Sequence, residues 1–196
     1  MKVVTAKEMQ ALDRKAVKEC GIPSLQLMER AGEGVVHALE QAHGPMREKS
    51  VSIVVGKGNN GGDGLVVGRL LMKRGAKVQV HILVDPTTFI GDTLANFTRY
   101  RDLGGMFIAP PPFSPSYILT SLKESELIVD AIFGTGLSKP IEGMFAEVVE
   151  SINESHRPIV SIDIPSGLSG DTGTVLGSVI HATQTVTLAV PKRGLF

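Results

Sequence analysis

The chain opens on a polar segment, Thr5-Ala6-Lys7-Glu8, that has the form of a helix capping box, and Met9, Leu12, Ala16 and Val17 follow on one helical face. After Pro23 the residues Leu25, Met28, Gly32, Val35 and Leu39 repeat the helical period, which predicts a second helix ending just before Gly44. From there short apolar runs alternate with helical stripes. Val51 to Val55 is a β-branched run closed by Gly56, and Leu65, Val66, Leu70 and Leu71 form a stripe that stops at Gly75, the pattern of a βαβ unit. Lys77 to Val84, Leu127 to Ile132, Ile159 to Ile164 and Thr185 to Val190 read as further strands, with helical patterns at Asp92 to Leu103 and Ile141 to Ile152. Strands that are apolar along their whole length are buried on both faces, so helices must cover both sides of the sheet. The expected architecture is an α/β fold, a Rossmann-like three-layer α/β/α sandwich with a mostly parallel central sheet. Pro110-Pro111-Pro112 and Pro115 read as an extended connection too short to separate domains, so residues 1–196 are expected to form a single domain.

Composition narrows the partners. Twenty basic residues balance 20 acidic ones, so no general field draws in nucleic acid or an anionic membrane, and any anionic ligand needs a local site. No segment approaches a membrane span and the N-terminus lacks the pattern of a secretory signal, which predicts a soluble, cytoplasmic protein. Cys20 is the only cysteine; it reads as a buried structural thiol and fits a reducing compartment. The histidines at 37, 43, 81, 156 and 181 have no ligand spacing, so no zinc is expected.

Chemistry concentrates in three loops, each following a strand, where ligands lie in a doubly wound sheet. The first, Gly56-Lys57-Gly58-Asn59-Asn60-Gly61-Gly62-Asp63-Gly64, opens a helix whose first N–H groups suit a phosphate, while its glycines allow close backbone approach and its amides and carboxylate add directional polar groups. Its start also satisfies G-x-G-x-x-G, and Asp85 falls at the end of the second strand, where a dinucleotide fold holds the ribose hydroxyl. The second, Asp130-Ala131-Ile132-Phe133-Gly134-Thr135-Gly136-Leu137-Ser138-Lys139-Pro140, carries a carboxylate at the end of an apolar run, a costly position unless it is hydrogen-bonded, paired or bound to a cation. The third, Asp163-Ile164-Pro165-Ser166-Gly167, leaves Asp163 at the sheet edge. Each alone reads as readily as a turn; converging on one edge of a parallel sheet, they read as a site.

Asn59-Asn60-Gly61-Gly62-Asp63-Gly64, Asp130-Ala131-Ile132-Phe133-Gly134-Thr135-Gly136 and Asp163-Ile164-Pro165-Ser166-Gly167 together resemble the signature set of the NAD(P)H-hydrate epimerases. Leu27-Met28-Glu29-Arg30-Ala31-Gly32 and Pro191-Lys192-Arg193-Gly194 are similar to segments of that family, so the resemblance covers nearly the whole chain. It implies a homodimeric isomerase of metabolite repair that interconverts the R and S forms of NADH and NADPH hydrated at C6 of the nicotinamide ring (NAD(P)HX). It also implies a potassium ion, K+, as cofactor and an NAD(P)H-hydrate dehydratase, sometimes fused, as functional partner. By position, Asn60, Asp130 and Ser166 match the cation ligands. Asn59, Asn60, Gly61, Gly62 and Asp63, then Gly134, Thr135, Gly136, Leu137, Ser138, Lys139 and Pro140, and finally Asp163, match the substrate contacts. Asp163 is the expected general acid and base, Asn59 and Asp63 the groups that orient the ring.

Family members continue past the strand and turn that precede Gly194-Leu195-Phe196, so a closing element is expected to be missing, and no fused dehydratase is present in these residues. Two other readings stay open. An NAD(P)-dependent oxidoreductase is supported by the glycine fingerprint and Asp85, but neither Tyr100 nor Tyr117 is followed four positions on by the lysine that short-chain dehydrogenases use. A non-catalytic nucleotide-binding scaffold is the second, opposed by the intact polar residues of all three loops. Lys192 and Arg193 read equally as groups that approach a phosphate from the last strand and as a solvated strand end, and they stay outside the expected site.

Overall fold

The computed structural model of the protein describes residues 2–109 and 115–196. Two helices lead the chain, α1 (Ala6–Lys18) and α2 (Ser24–His43). The expected capping box starts α1: the Thr5 hydroxyl accepts from the Glu8 N–H, and the Glu8 carboxylate accepts from the Thr5 N–H. Then follow β1 (Ser50–Val55), α3 (Asn59–Lys73), β2 (Lys77–Ile82), α4 (Gly91–Asp102), β3 (Met106–Ile108), α5 (Pro115–Lys123), β4 (Leu127–Ala131), α6 (Gly143–Glu154), β5 (Ile159–Ile162) and β6 (Gln184–Val186).

All strand pairings are parallel, in the order β3-β2-β1-β4-β5-β6. The order reverses between β1 and β4, the place where an open α/β sheet forms its ligand crevice. One apolar cluster joins Met28, Val35 and Leu39 of α2, Leu65 and Val66 of α3 and Phe97 of α4 to Ile53, Val55, Val129 and Ala131 of the sheet. A second joins Ile118 and Leu122 of α5 and Val148 and Ile152 of α6 to Val54, Ile128 and Ile159 on the opposite face. The sandwich expected from the doubly buried strands is therefore present, with every strand parallel. Among the described residues no helix is long and apolar enough to cross a membrane.

Several details differ from the sequence reading. Pro115 begins α5 rather than an extended connection, as proline at a first helical position can, since it lacks the N–H that would go unpaired there; Pro110, Pro111 and Pro112 lie outside the described residues. The edge strand β3 was not expected: its apolar run, Met106-Phe107-Ile108-Ala109, is only four residues long, and Met106 and Phe107 are exposed at the sheet edge. The runs read as strands to Val84, Ile132, Ile164 and Val190 end earlier as ladders, since Leu83, Ile132 and Ile164 stay buried after their strands have stopped. Cys20 is exposed, not buried: it follows the end of α1 instead of lying on its apolar face.

His81 on β2 is fully buried, with Ser52 Oγ at 3.3 Å and Ser121 Oγ at 3.4 Å from Nε2, and Nδ1 has no partner among the described residues. Burial pushes the ring down from 6.5 to about 4, because no carboxylate offsets the lost hydration of its charged form. The unfolded chain then binds the extra proton between those pH values. The resulting stability is complete above about pH 6.5 and lost as pH falls toward about 4, by about 3 kcal/mol in all. Denaturant midpoints measured across that window should fall with pH, and part of the fall should disappear in His81→Asn.

Candidate functional site

The three loops meet at the carboxyl edge of the sheet. Asp130, in the last turn of pleat of β4, has no exposed surface, and four donors close on it. Oδ1 accepts from Ser166 Oγ at 2.6 Å and from the Ile132 N–H at 3.2 Å; Oδ2 accepts from Ser161 Oγ at 2.7 Å and from the Ser166 N–H at 2.9 Å. Burial pushes the carboxyl above its ordinary range, and the hydrogen bonds from Ser166, Ser161 and Ile132 act against that push. Among the described residues no cationic side chain pairs with it. Ser166 Oγ, whose single hydrogen goes to Asp130, also accepts from the Phe133 N–H at 2.9 Å and lies 3.1 Å from the Phe133 carbonyl oxygen. Two acceptors, Asp130 Oδ1 and Phe133 O, thus compete for one hydroxyl hydrogen, an excess of acceptors that suits a cation.

Asp163 immediately follows β5 and takes a left-handed backbone conformation, φ +70°. Aspartate tolerates this region better than most residues, and the turn is held by its N–H donating to Val186 O at 2.8 Å. Its Oδ2 accepts from the Thr135 N–H at 3.3 Å. Its Oδ1 forms an ion pair with Lys192, a lysine with 1% of its side chain exposed.

Asn60 lies in the first turn of α3, and both its Oδ1 and Nδ2 are buried without a hydrogen-bond partner. A Cβ added at Gly134 would lie 3.1 Å from Asp163 Oδ2 and 3.3 Å from Asn60 Oδ1, so glycine there keeps open the space beside the carboxylate and the amide. Gly58 precedes α3 with no side-chain cap, and among the described residues the Asn59, Asn60 and Gly61 N–H groups have no acceptor. Not every glycine serves a ligand, however: a Cβ at Gly61 would sit 2.1 Å from Gly56 O, so this glycine lets the helix start pack against its own strand end. Asp63, buried one turn on, is pushed well above the usual carboxylate range by burial, then by the charges of Asp163 and Asp13, with Lys192 opposing.

The structure therefore brings Asn60, Gly134, Thr135 and Asp163 together, with Asp63 within reach of their charges, and ties Asp130 to Ser166 in an adjoining knot. Phe133 and Gly134 connect the two. Asn60 makes no hydrogen bond with Asp130 or Ser166. Asn59 is exposed at the helix start, Gly61 and Gly62 are buried behind it, and Gly136, Ser138, Lys139 and Pro140 form an exposed rim with Leu137, whose N–H donates to Gly134 O. Among the described residues no hydrogen bond joins the Leu137 to Pro140 side chains to Asn60 or Asp163.

Two residues of the cluster were missed. Lys192, expected outside the site as either a phosphate contact or a solvated strand end, is fully buried beside Asp163. Asp13, exposed on α1, is close enough for its acidity to respond to both: its carboxyl is raised by partial burial and by Asp163, and lowered by Lys192. Neither carries a local signal; only the similarity of Pro191-Lys192-Arg193-Gly194 to a family segment pointed toward the lysine. Asp85, by contrast, spends its exposed carboxylate on a local turn, accepting from the Thr87 N–H at 2.9 Å. Tyr100 is buried and donates to Met106 O at 2.8 Å, which removes it as a dehydrogenase acid; burial raises its pKa. The Tyr117 side chain lies outside the described residues.

Residues 24–194 match the family described as YjeF-related protein N-terminus. The chain belongs to this family. Relatives of this YjeF-related domain include the bifunctional NAD(P)H-hydrate repair enzyme Nnr of Moorella thermoacetica, 45% identical over 199 residues, covering 100% of this chain and 37% of that protein. The NAD(P)H-hydrate epimerase of Limosilactobacillus fermentum is 39% identical over 194 residues, covering 98% of this chain and 88% of that one. The crystal structure of the yeast protein ynu0 (YNL200c) superposes with a TM-score of 0.86 at 28% identity, covering 100% of this chain and 83% of that one. The chain thus spans 37% of the length of the bifunctional relatives. The resemblance read from the three loops holds for this YjeF-related domain at the level of family and fold.

Proposed function

We propose that the chain is an isomerase that epimerises R and S NADHX and NADPHX at C6 of the nicotinamide ring, an activity of nicotinamide nucleotide repair. The observation that carries this reading is the set formed by the Asp163 carboxylate, the Thr135 N–H and the unpartnered Asn60 amide at the open edge of the sheet. It is supported by relatives named NAD(P)H-hydrate epimerase over 82% to 88% of their own length.

The C6 hydroxyl belongs to a hemiaminal, so the ring nitrogen's electron pair can expel it once it is protonated. In the reacting form Asp163 carries a proton on Oδ2 while Oδ1 keeps its contact with Lys192; it gives that proton, the hydroxyl leaves as water, and a planar cation remains beside the carboxylate. Water then adds to the other face while Asp163 takes the proton back, so one carboxyl serves both directions and no net proton is consumed. Asp63, its carboxyl pushed well above the usual range by burial, and Asn59, at the helix start, orient the ring. The free N–H groups that open α3 suit the pyrophosphate, as does the helix dipole.

A potassium ion fits the residues present. Asn60, Asp130 and Ser166 can each offer an oxygen, the Asn60 amide oxygen is buried without a partner among the described residues, and no cationic side chain among them pairs with Asp130. When bound, the ion supplies positive charge beside the Asp130 carboxylate. The rest of the reading, a cytoplasmic homodimer acting with a dehydratase, rests on the family, and the bifunctional relatives support the last part.

The test is chromatographic. Pure R epimer of hydrated NADPH is incubated with the protein in potassium or lithium buffer, and S epimer is followed against the spontaneous rate. Faster conversion, greater in potassium, is the expected result. No acceleration by folded protein that binds the hydrate would replace this reading with a scaffold.

A further inference from the structure

We propose that Lys192 is a positioning residue of this site: its ammonium anchors Oδ1 of Asp163 and thereby turns Oδ2 toward Thr135 and the open space at Gly134. The inference rests on the epimerase reading for its catalytic consequence, and on geometry for the positioning itself.

A fully buried lysine is uncommon, and an ammonium has three hydrogens to place. Here they have three acceptors: Asp163 Oδ1, Leu188 O at 2.6 Å and Thr187 Oγ1 at 3.2 Å. With its donors filled, Lys192 has none left for a substrate, which separates it from the group that handles the proton. The two oxygens of Asp163 are thereby made unequal. Oδ1 is held by the ammonium, with the Leu188 N–H at 3.5 Å, while among the described residues Oδ2 has only the Thr135 N–H at 3.3 Å and faces the side where Asn60 lies.

The lysine is itself fixed from outside the loops. Val4 bridges to it, the Val4 N–H donating to Pro191 O at 2.9 Å and the Arg193 N–H to Val4 O at 3.0 Å. The N-terminal segment thus holds the lysine and the lysine holds the carboxylate. Stability alone gives little reason for such a pair, because apolar groups of similar volume often serve a buried position as well or better. Three carboxylates lie within its field, and for both Asp13 and Asp63 the lysine's charge opposes the upward shift that burial and Asp163 impose.

Lys192→Met keeps the stem and removes the ammonium. The expected result is a fall in kcat of about 100-fold, the scale of a small misplacement of a reacting group, with KM for the hydrate changed less than about 3-fold. A crystal structure of the variant should show the Asp163 carboxylate rotated away from the Thr135 N–H. Thr187→Val loosens the same anchor and should lower kcat by about 3- to 10-fold at constant KM, which provides the kinetic reading if the methionine variant fails to fold. Wild-type kcat in a folded variant, or an unrotated carboxylate, overturns the proposal. If the wild-type protein itself shows no epimerisation, the epimerase reading falls, and carboxylate orientation in the variant crystal then decides the positioning role by itself.

Discussion

Asp163→Asn should lower epimerisation turnover by about 10²- to 10⁴-fold, the range over which a positioned acid or base contributes. Asparagine tolerates the left-handed φ of +70° at this position and its amide oxygen still accepts from the Lys192 ammonium, so the fold should persist. It should not persist unchanged. The buried lysine loses its counter-charge, and removing one partner of such a pair costs up to about 3–5 kcal/mol, less here because the hydrogen bond survives and the Asp163 side chain is 11% exposed. A fall in Tm of roughly 5–10 °C is therefore expected beside the much larger kinetic loss. Hydrate binding should be little affected. Turnover within about threefold of wild type would take the proton transfer away from Asp163, since a general acid that can be replaced by an amide was not acting as one.

Asp130→Ala should act on the fold before it acts on the chemistry. The substitution strips the acceptor from the Ser161 and Ser166 hydroxyls and from the Ser166 and Ile132 N–H groups, all at the buried end of β4. Orphaned buried donors cost about 1–3 kcal/mol each when water cannot reach them, and rearranged serines recover part of that, so a loss of about 3–5 kcal/mol is expected. Denaturant unfolding should show a lower midpoint at an unchanged slope. Asp130→Asn should fall between, because its NH₂ must face one pair of donors. If potassium raises the melting temperature of the wild-type protein, that gain should shrink in both variants. A stability within about 1 kcal/mol of wild type for Asp130→Ala would mean that the donors find other partners, and the carboxylate would then be held in place for a ligand alone.

Much of the frame was legible along the chain because burial on both faces leaves a near-continuous apolar run, which β1, β4 and β5 carry, while β2 shows the alternation of a strand instead. The capping box at Thr5 and the stop at Gly44 mark helix ends by local hydrogen bonding, which needs no distant partner to be read. Strand ends were overrun at Val84 and Ile164 for the same reason: apolar composition reports burial, and Leu83 and Ile164 are buried in loops. The edge strand β3 left a run of only four apolar residues, too short to stand out, and α5 starts at a proline next to a proline run, which masks its helical pattern.

The site divides in the same way. The three polar loops that follow β1, β4 and β5, and hence the edge at which they meet, were legible in the sequence alone, because parallel strands place all such loops at one end; the strand order, with its reversal between β1 and β4, came from the tertiary structure. Only the tertiary structure decided that Asp85 would cap its own turn, that Gly61 would serve packing against Gly56, and that Lys192 would be buried against Asp163. The physical reason is range. Periodicity and capping act over a few residues, whereas the ionisation and direction of a side chain depend on groups brought near from anywhere in the chain, here from Val4 and Asp13 at one end and Lys192 at the other.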